Sequence, residues 1–213
     1  MVKRFDWVLA GERIGADKVC DVDLLEHSDA AVVPTLGSLV PGWLLVVPRL
    51  EALSFARLDY GVRCALFLFA RELAKEAKHF GKRTFLLEHG PGEYLSQIGC
   101  GVDQAHLHVV PTDFDLLGNV LEDGDIDWKE VSPNNPWKEI GDGQEYYLIS
   151  DDCSSYVGLP RCVKSQYFRR QIAHLNGDAD KWNYREWPFY ENARRTIQYF
   201  GSDGSDGCKG IAA

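Results

Sequence analysis

Asp103-Gln104-Ala105-His106-Leu107-His108-Val109-Val110-Pro111 is the stretch on which the fold of this 213-residue chain turns. Polar and apolar residues alternate along it, the period of a β-strand. On a strand, residues two apart lie about 6.6–7 Å apart along one face. Gln104, His106 and His108 therefore share one side, and Ala105, Leu107 and Val109 the other. Just upstream, Gly99-Cys100-Gly101 is a backbone that can approach a ligand closely and turn N–H groups toward an anion. Imidazole titrates near neutrality, so one ring can attack as a nucleophile while another donates to phosphate oxygens. His-x-His on a strand also suits a metal, with His89 or Glu88 as a third ligand. A third reading is plain: two histidines on a partly exposed strand face. Spacing alone leaves all three open.

Outward from this stretch, Ala30–Pro34 and Trp43–Pro48 are two β-branched apolar runs, each closed by proline, around a loop with turn residues Gly37, Ser38, Pro41 and Gly42. From Leu58 to Phe80 the period becomes helical. Val62, Leu66, Phe69, Leu73 and Ala77 form the apolar face, and Gly81 is placed to cap the helix. Another strand covers Arg83–His89. Beyond Pro111 the acids Glu122, Asp123, Asp125 and Asp127, then Ser132–Pro136, read as a surface excursion. Glu145–Ile149 and Tyr156–Leu159 are strand-like, Gln166–Leu175 and Phe189–Phe200 helical, with Ser165 and Gln166 suited to an N-cap. The sum is α+β with a mostly antiparallel sheet.

The formal charge of −9, from 23 basic and 32 acidic residues, argues against duplex nucleic acid as a partner. No apolar run reaches the roughly 18–20 residues that cross a bilayer. The N-terminal run Trp7–Ala10 is too short for a secretory signal, and six cysteines lack a Cys-x-x-Cys pattern. Free thiols in the cytoplasm are the expectation.

Gln104-Ala-His-Leu-His-Val-Val resembles the signature of the histidine triad (HIT) family, His-φ-His-φ-His-φ-φ with φ apolar. Pro41-Gly-Trp-Leu-Leu-Val-Val-Pro-Arg49 is similar to the family's Pro-Gly-His-φ-φ-φ-φ-Pro-Lys strand, and the likeness covers roughly residues 28–112. Ser165–Ala173 with Trp182–Arg185, and Glu88-His89-Gly90 with Gly99–Asp103, resemble longer members that carry a C-terminal extension. The resemblance implies a HIT-like half-barrel with a long helix in residues 1–112 and an α/β extension in 113–200 packed on it; the low-complexity run Gly201-Ser-Asp-Gly-Ser-Asp-Gly207 independently predicts a disordered tail in 201–213. The resemblance also implies a nucleotide hydrolase or nucleotidyltransferase. His106 would attack an α-phosphorus of a dinucleoside polyphosphate or nucleoside phosphoramidate, giving a nucleotidyl-histidine that water resolves. His108 would contact phosphate or the leaving group. Gly99, Cys100, Gly101, Thr35, Arg169 and Arg170 would bind the nucleotide, with Arg49 and Arg185 behind them. No cofactor or protein-bound metal is required, magnesium would arrive with a polyphosphate substrate, and a homodimer is compatible.

Three positions depart from the family. Gln104 stands where its first triad histidine would be, Trp43 where the strand histidine would be, and Thr35 where an acid commonly binds ribose. In the family the nucleophilic ring is oriented by the main-chain carbonyl of the first triad residue, which Gln104 still supplies. Thr35 forgoes a charge-assisted hydrogen bond worth about 1.5–3 kcal/mol. Two rival functions follow: a degraded nucleotide-binding or adaptor protein, and a metal-dependent hydrolase using His106, His108 and His89. Trp182, Tyr184, Trp187 and Phe189 read as core ahead of a base-stacking platform.

Overall fold

The computed structural model describes residues 4–201. Seven strands form one antiparallel sheet in the order β1-β2-β4-β3-β6-β7-β5. They are β1 (Ala30–Pro34), β2 (Leu44–Pro48), β3 (Arg83–Gly90), β4 (Leu107–Thr112), β5 (Ile126–Val131), β6 (Tyr146–Ser150) and β7 (Ser155–Pro160). Five helices accompany them: α1 (Asp6–Leu9), α2 (Tyr60–Ala77), α3 (Leu116–Leu121), α4 (Tyr167–Leu175) and α5 (Tyr190–Phe200). The α+β expectation holds. Among the described residues no helix is long and apolar enough to cross a membrane. The five described cysteines, 20, 64, 100, 153 and 162, are free thiols. Cys208 and residues 202–213 of the expected tail lie outside the described residues; Gly201 caps α5 through its N–H to the Ile197 carbonyl at 2.7 Å.

Both faces of the sheet are covered, which explains why β1, β2 and β6 are apolar at nearly every position and buried throughout. Val32, Leu44, Val46, Leu107, Val109 and Leu148 pack under α2 and Trp137. On the opposite face Phe85, Leu87, Val110, Tyr147 and Ile149 meet α3 and α4. Beside them, Ala31, Val33, Leu45 and Val47 are sealed by Phe5, Trp7 and Val8 of the N-terminal segment. Residues 113–200 continue the same sheet, since β6 pairs directly with β3, Tyr147 opposite His89.

Four local expectations are corrected. The paired strand begins at Leu107, so Gln104 and His106 lie on its extended approach, although Ala105, Leu107 and Val109 do face one core. The surface excursion contains β5, an edge strand paired to β7. Its outward charges, Asp127 bonded to Arg161 and Lys129 to Glu139, disguise the strand and protect an open edge. In α2 the buried aromatic is Phe67, with Phe69 and Val62 only partly covered. Gly81 is extended (φ −171°) after a 3-10 turn at Lys78–Phe80; it is small because a Cβ would come within 2.6 Å of the Thr112 nitrogen.

Candidate active site

The register of three strands gathers the histidines. His108 on β4 lies opposite Leu45 of β2 and Leu87 of β3, so its side chain is level with His89, two residues along β3, and with Trp43, two residues before Leu45. The His106 and His108 ring centroids are 5.0 Å apart, and those of His108 and His89 are 5.8 Å apart.

Hydrogen bonds set the tautomer of each ring. His106 Nδ1 is 2.8 Å from the Gln104 carbonyl. A carbonyl only accepts, so Nδ1 carries the proton and Nε2 keeps a bare lone pair. That Nε2 has no hydrogen-bond partner among the described residues. Burial pushes the His106 pKa down to about 4 against the pull of that carbonyl, so the ring is neutral at physiological pH. His108 is the converse. The Trp43 indole N–H, which can only donate, lies 3.0 Å from His108 Nδ1. The proton of neutral His108 is therefore on Nε2, which is buried and has no partner among the described residues. Burial, then the neighbouring His106 and His89, holds His108 well below the usual histidine range. His89 is pushed to about 3 by the same burial, and its Nε2 faces the Phe168 N–H at 3.5 Å.

Positive charge reaches this cluster from α4. Arg169 is buried, 6% exposed, and has no carboxylate in ion-pair range among the described residues. It is held by oxygens that carry no net charge: it donates to the Gly37 carbonyl, to Thr35 Oγ1 at 2.9 Å and to the Leu36 carbonyl at 2.5 Å. Its guanidinium also lies 4.6 Å from the Trp43 ring centroid and 5.5 Å from that of Tyr184. Burial lowers its pKa only to about 10, so it stays charged. A desolvated cation without a counter-ion favours an anion beside it. Arg4 adds a second guanidinium, paired to Asp21 at 3.4 Å through Nε, with a buried Nη2 lacking a partner among the described residues.

His89, His106, His108, Arg169, Thr35 and Cys100 line one cavity, together with Arg4 and Phe5. It measures about 30 Å³.

The chain matches no protein-family model and no curated protein.

Several predicted site residues play other parts. The Gln104 side chain turns away from the cavity, donating to the Pro48 and Leu50 carbonyls at 3.1 and 2.8 Å; only its main chain serves His106. Arg170 is exposed, bonds the Ser165 carbonyl and stacks 3.3 Å from the Trp182 ring, so it is not brought to the cavity. Arg49 is tied to Asp23 at 2.7 Å. Arg185 lies at the rim, beside Gly101 and Tyr184. The Gly99–Gly101 backbone is a turn whose own bonds take up the Cys100 and Val102 N–H groups, on the Gln97 and Gly99 carbonyls. Cys100 (φ 57°) instead offers its sulfur to the cavity, where the Gln166 N–H approaches at 3.0 Å. Gln166 (φ 57°) begins α4 without a side-chain cap; its Oε1 accepts from the Tyr184 N–H at 3.2 Å. Tyr184, weighed as core, lines the cavity, whereas Trp187 is 40% exposed.

The metal arrangement of His106, His108 and His89 does not assemble. The Nδ1 atoms of His106 and His108 are both engaged, and among the described residues no group of three or more His, Cys, Asp or Glu is placed to hold an ion. Glu88 faces the other side of the sheet, accepting from the Phe55 N–H, the Trp137 indole and the Tyr146 hydroxyl, each at 2.7 Å. Arg4 and Phe5 were not legible in the sequence as site residues, because nothing local in their segment marks where it docks.

Proposed function

We propose that this protein is a hydrolase or nucleotidyltransferase of the histidine triad type, acting on an α-phosphorus of a nucleotide, and that β1, β2, β4, β3 and α2 are its HIT-like core. The observation that carries the proposal is the pair of opposed tautomers: a bare Nε2 on His106 next to an unpartnered Nε2–H on His108, beside a buried unpaired arginine. A neutral imidazole with a free lone pair is a nucleophile. The neighbouring N–H and guanidinium are placed for charge that builds on phosphoryl oxygens.

His106 Nε2 attacks phosphorus and the leaving group departs. The ring becomes a cationic nucleotidyl-imidazolium whose Nδ1–H is steadied by the Gln104 carbonyl. Water then displaces the histidine and releases a nucleoside monophosphate. Gln104 is no impediment, because the contact that orients the nucleophile is main-chain and its side chain is occupied elsewhere. Thr35 positions Arg169 in place of gripping ribose.

The test is to incubate the chain with a labelled dinucleoside polyphosphate, with magnesium. An acid-labile, base-stable adduct that vanishes in His106→Ala supports the proposal; absence of both adduct and turnover refutes it. Binding without turnover would instead favour the adaptor reading.

A further inference from the structure

A leaving group takes the electron pair of the bond it breaks, and how badly it then needs a proton depends on its chemistry. Phosphate oxygen departs readily as an anion. An amine nitrogen must be protonated as the P–N bond breaks, so a phosphoramidate requires an acid in the site.

The cavity has no such acid among the described residues. Trp43 is fully buried, and its indole N–H occupies His108 Nδ1. Neutral His108 can offer a hydrogen bond from Nε2–H. To surrender that proton it would have to become an imidazolate, and to carry a second one it would need the Nδ1 lone pair that Trp43 holds. His106 must stay unprotonated at Nε2 to attack. The Tyr184 hydroxyl is directed to the Cys100 carbonyl at 3.3 Å, and the Cys100 thiol to the Ile98 carbonyl at 3.3 Å. His89 faces the Phe168 N–H through Nε2, Arg169 remains a permanent cation, and no carboxylate lines the space. Burial supports the same picture by disfavouring every imidazolium.

Building on the nucleotidyl-transfer proposal above, we infer that this site cleaves phosphoanhydrides and discriminates against phosphoramidates, and that Trp43 is the positioning residue that sets the choice by fixing His108 as a neutral donor. In the favoured reaction His106 Nε2 forms the N–P bond. The P–O bond to the departing phosphate breaks, its electron pair stays on that oxygen, and His108 Nε2–H hydrogen-bonds it without transferring a proton. Water then forms the new P–O bond, the N–P pair returns to Nε2, and the water proton passes to solvent.

The experiment compares diadenosine triphosphate with adenosine 5′-phosphoramidate as substrates of the full chain, reading initial rates of AMP release across pH. The wild type is expected to favour the anhydride by about 100-fold or more, the usual contribution of an acid catalyst that is missing. Trp43→Phe keeps an aromatic face for Arg169 and removes the N–H. It frees Nδ1 for a second proton and should narrow that ratio. Imidazole nitrogen NMR of the wild type should find His108 protonated at Nε2 alone, a check that holds even if the variant fails to fold. Equal or preferred phosphoramidate cleavage by the wild type overturns the inference while leaving nucleotidyl transfer standing. So does an unchanged ratio in a folded Trp43→Phe. Neither substrate cleaved and no adduct formed overturns nucleotidyl transfer itself, and the inference with it.

Discussion

Acid should unfold this protein through its own site. His106 is held at about 4 and His89 at about 3, and His108 also lies well below its ordinary 6.5. Between pH 6.5 and 4 the unfolded chain takes up protons that the folded chain refuses, so the folded state loses stability as pH falls through that window. Each histidine contributes a slope of about 1.4 kcal/mol per pH unit where it is fully engaged. Glu88 opposes them. Burial raises its pKa to about 7, so between 4.5 and 7 the folded state is the better proton binder, and one histidine is offset. Three histidines against one carboxyl leave the balance with the histidines, so stability falls as pH drops below about 6. Urea unfolding followed by tryptophan fluorescence, repeated from neutral pH down to about 5, enters that window and measures it directly. His106→Asn should flatten the slope by about one histidine's share. Constant stability from neutral pH into this window, or an unchanged slope in that variant, would refute the burial argument.

Arg169→Met should abolish inorganic phosphate binding measured by calorimetry, whereas Arg170→Ala should leave it unchanged, because only the former faces the cavity. Gln104→Ala should cost about 1–3 kcal/mol of stability by breaking its two side-chain bonds, with the adduct-forming rate nearly retained, since the carbonyl at His106 survives; rapid-quench kinetics on the folded variant separates the two effects. Glu88→Ala strands three buried donors and should destabilise by about 3–5 kcal/mol in urea without touching phosphate affinity.

Much of the scaffold was legible in residue pattern. The apolar runs at 30–34 and 44–48, the helical period after Leu58 and the two C-terminal helices all stand where their periodicities place them. The strand at 126–131 was hidden because an edge strand needs charge on its open side, and charge reads as surface. Gly81 is ambiguous in sequence for a related reason: a helix cap and a close backbone approach both favour glycine, and only the position of Thr112 tells them apart. At the site, Arg169 and Arg170 are indistinguishable in sequence. Neighbouring residues on a helix point about 100° apart, so one enters the cavity and the other meets solvent.

What the sequence alone determined is most of the sheet and the three longer helices; the contact between the Gln104 carbonyl and His106 was implied by the family resemblance, and it survives any side chain at 104 because it is main-chain. The tautomer of His108, the burial of Arg169 without a counter-ion and the arrival of Arg4 and Phe5 at the cavity wall were decided only in three dimensions. Each depends on strands and segments tens of residues apart coming into register, and that register is set by packing both faces of one sheet at once.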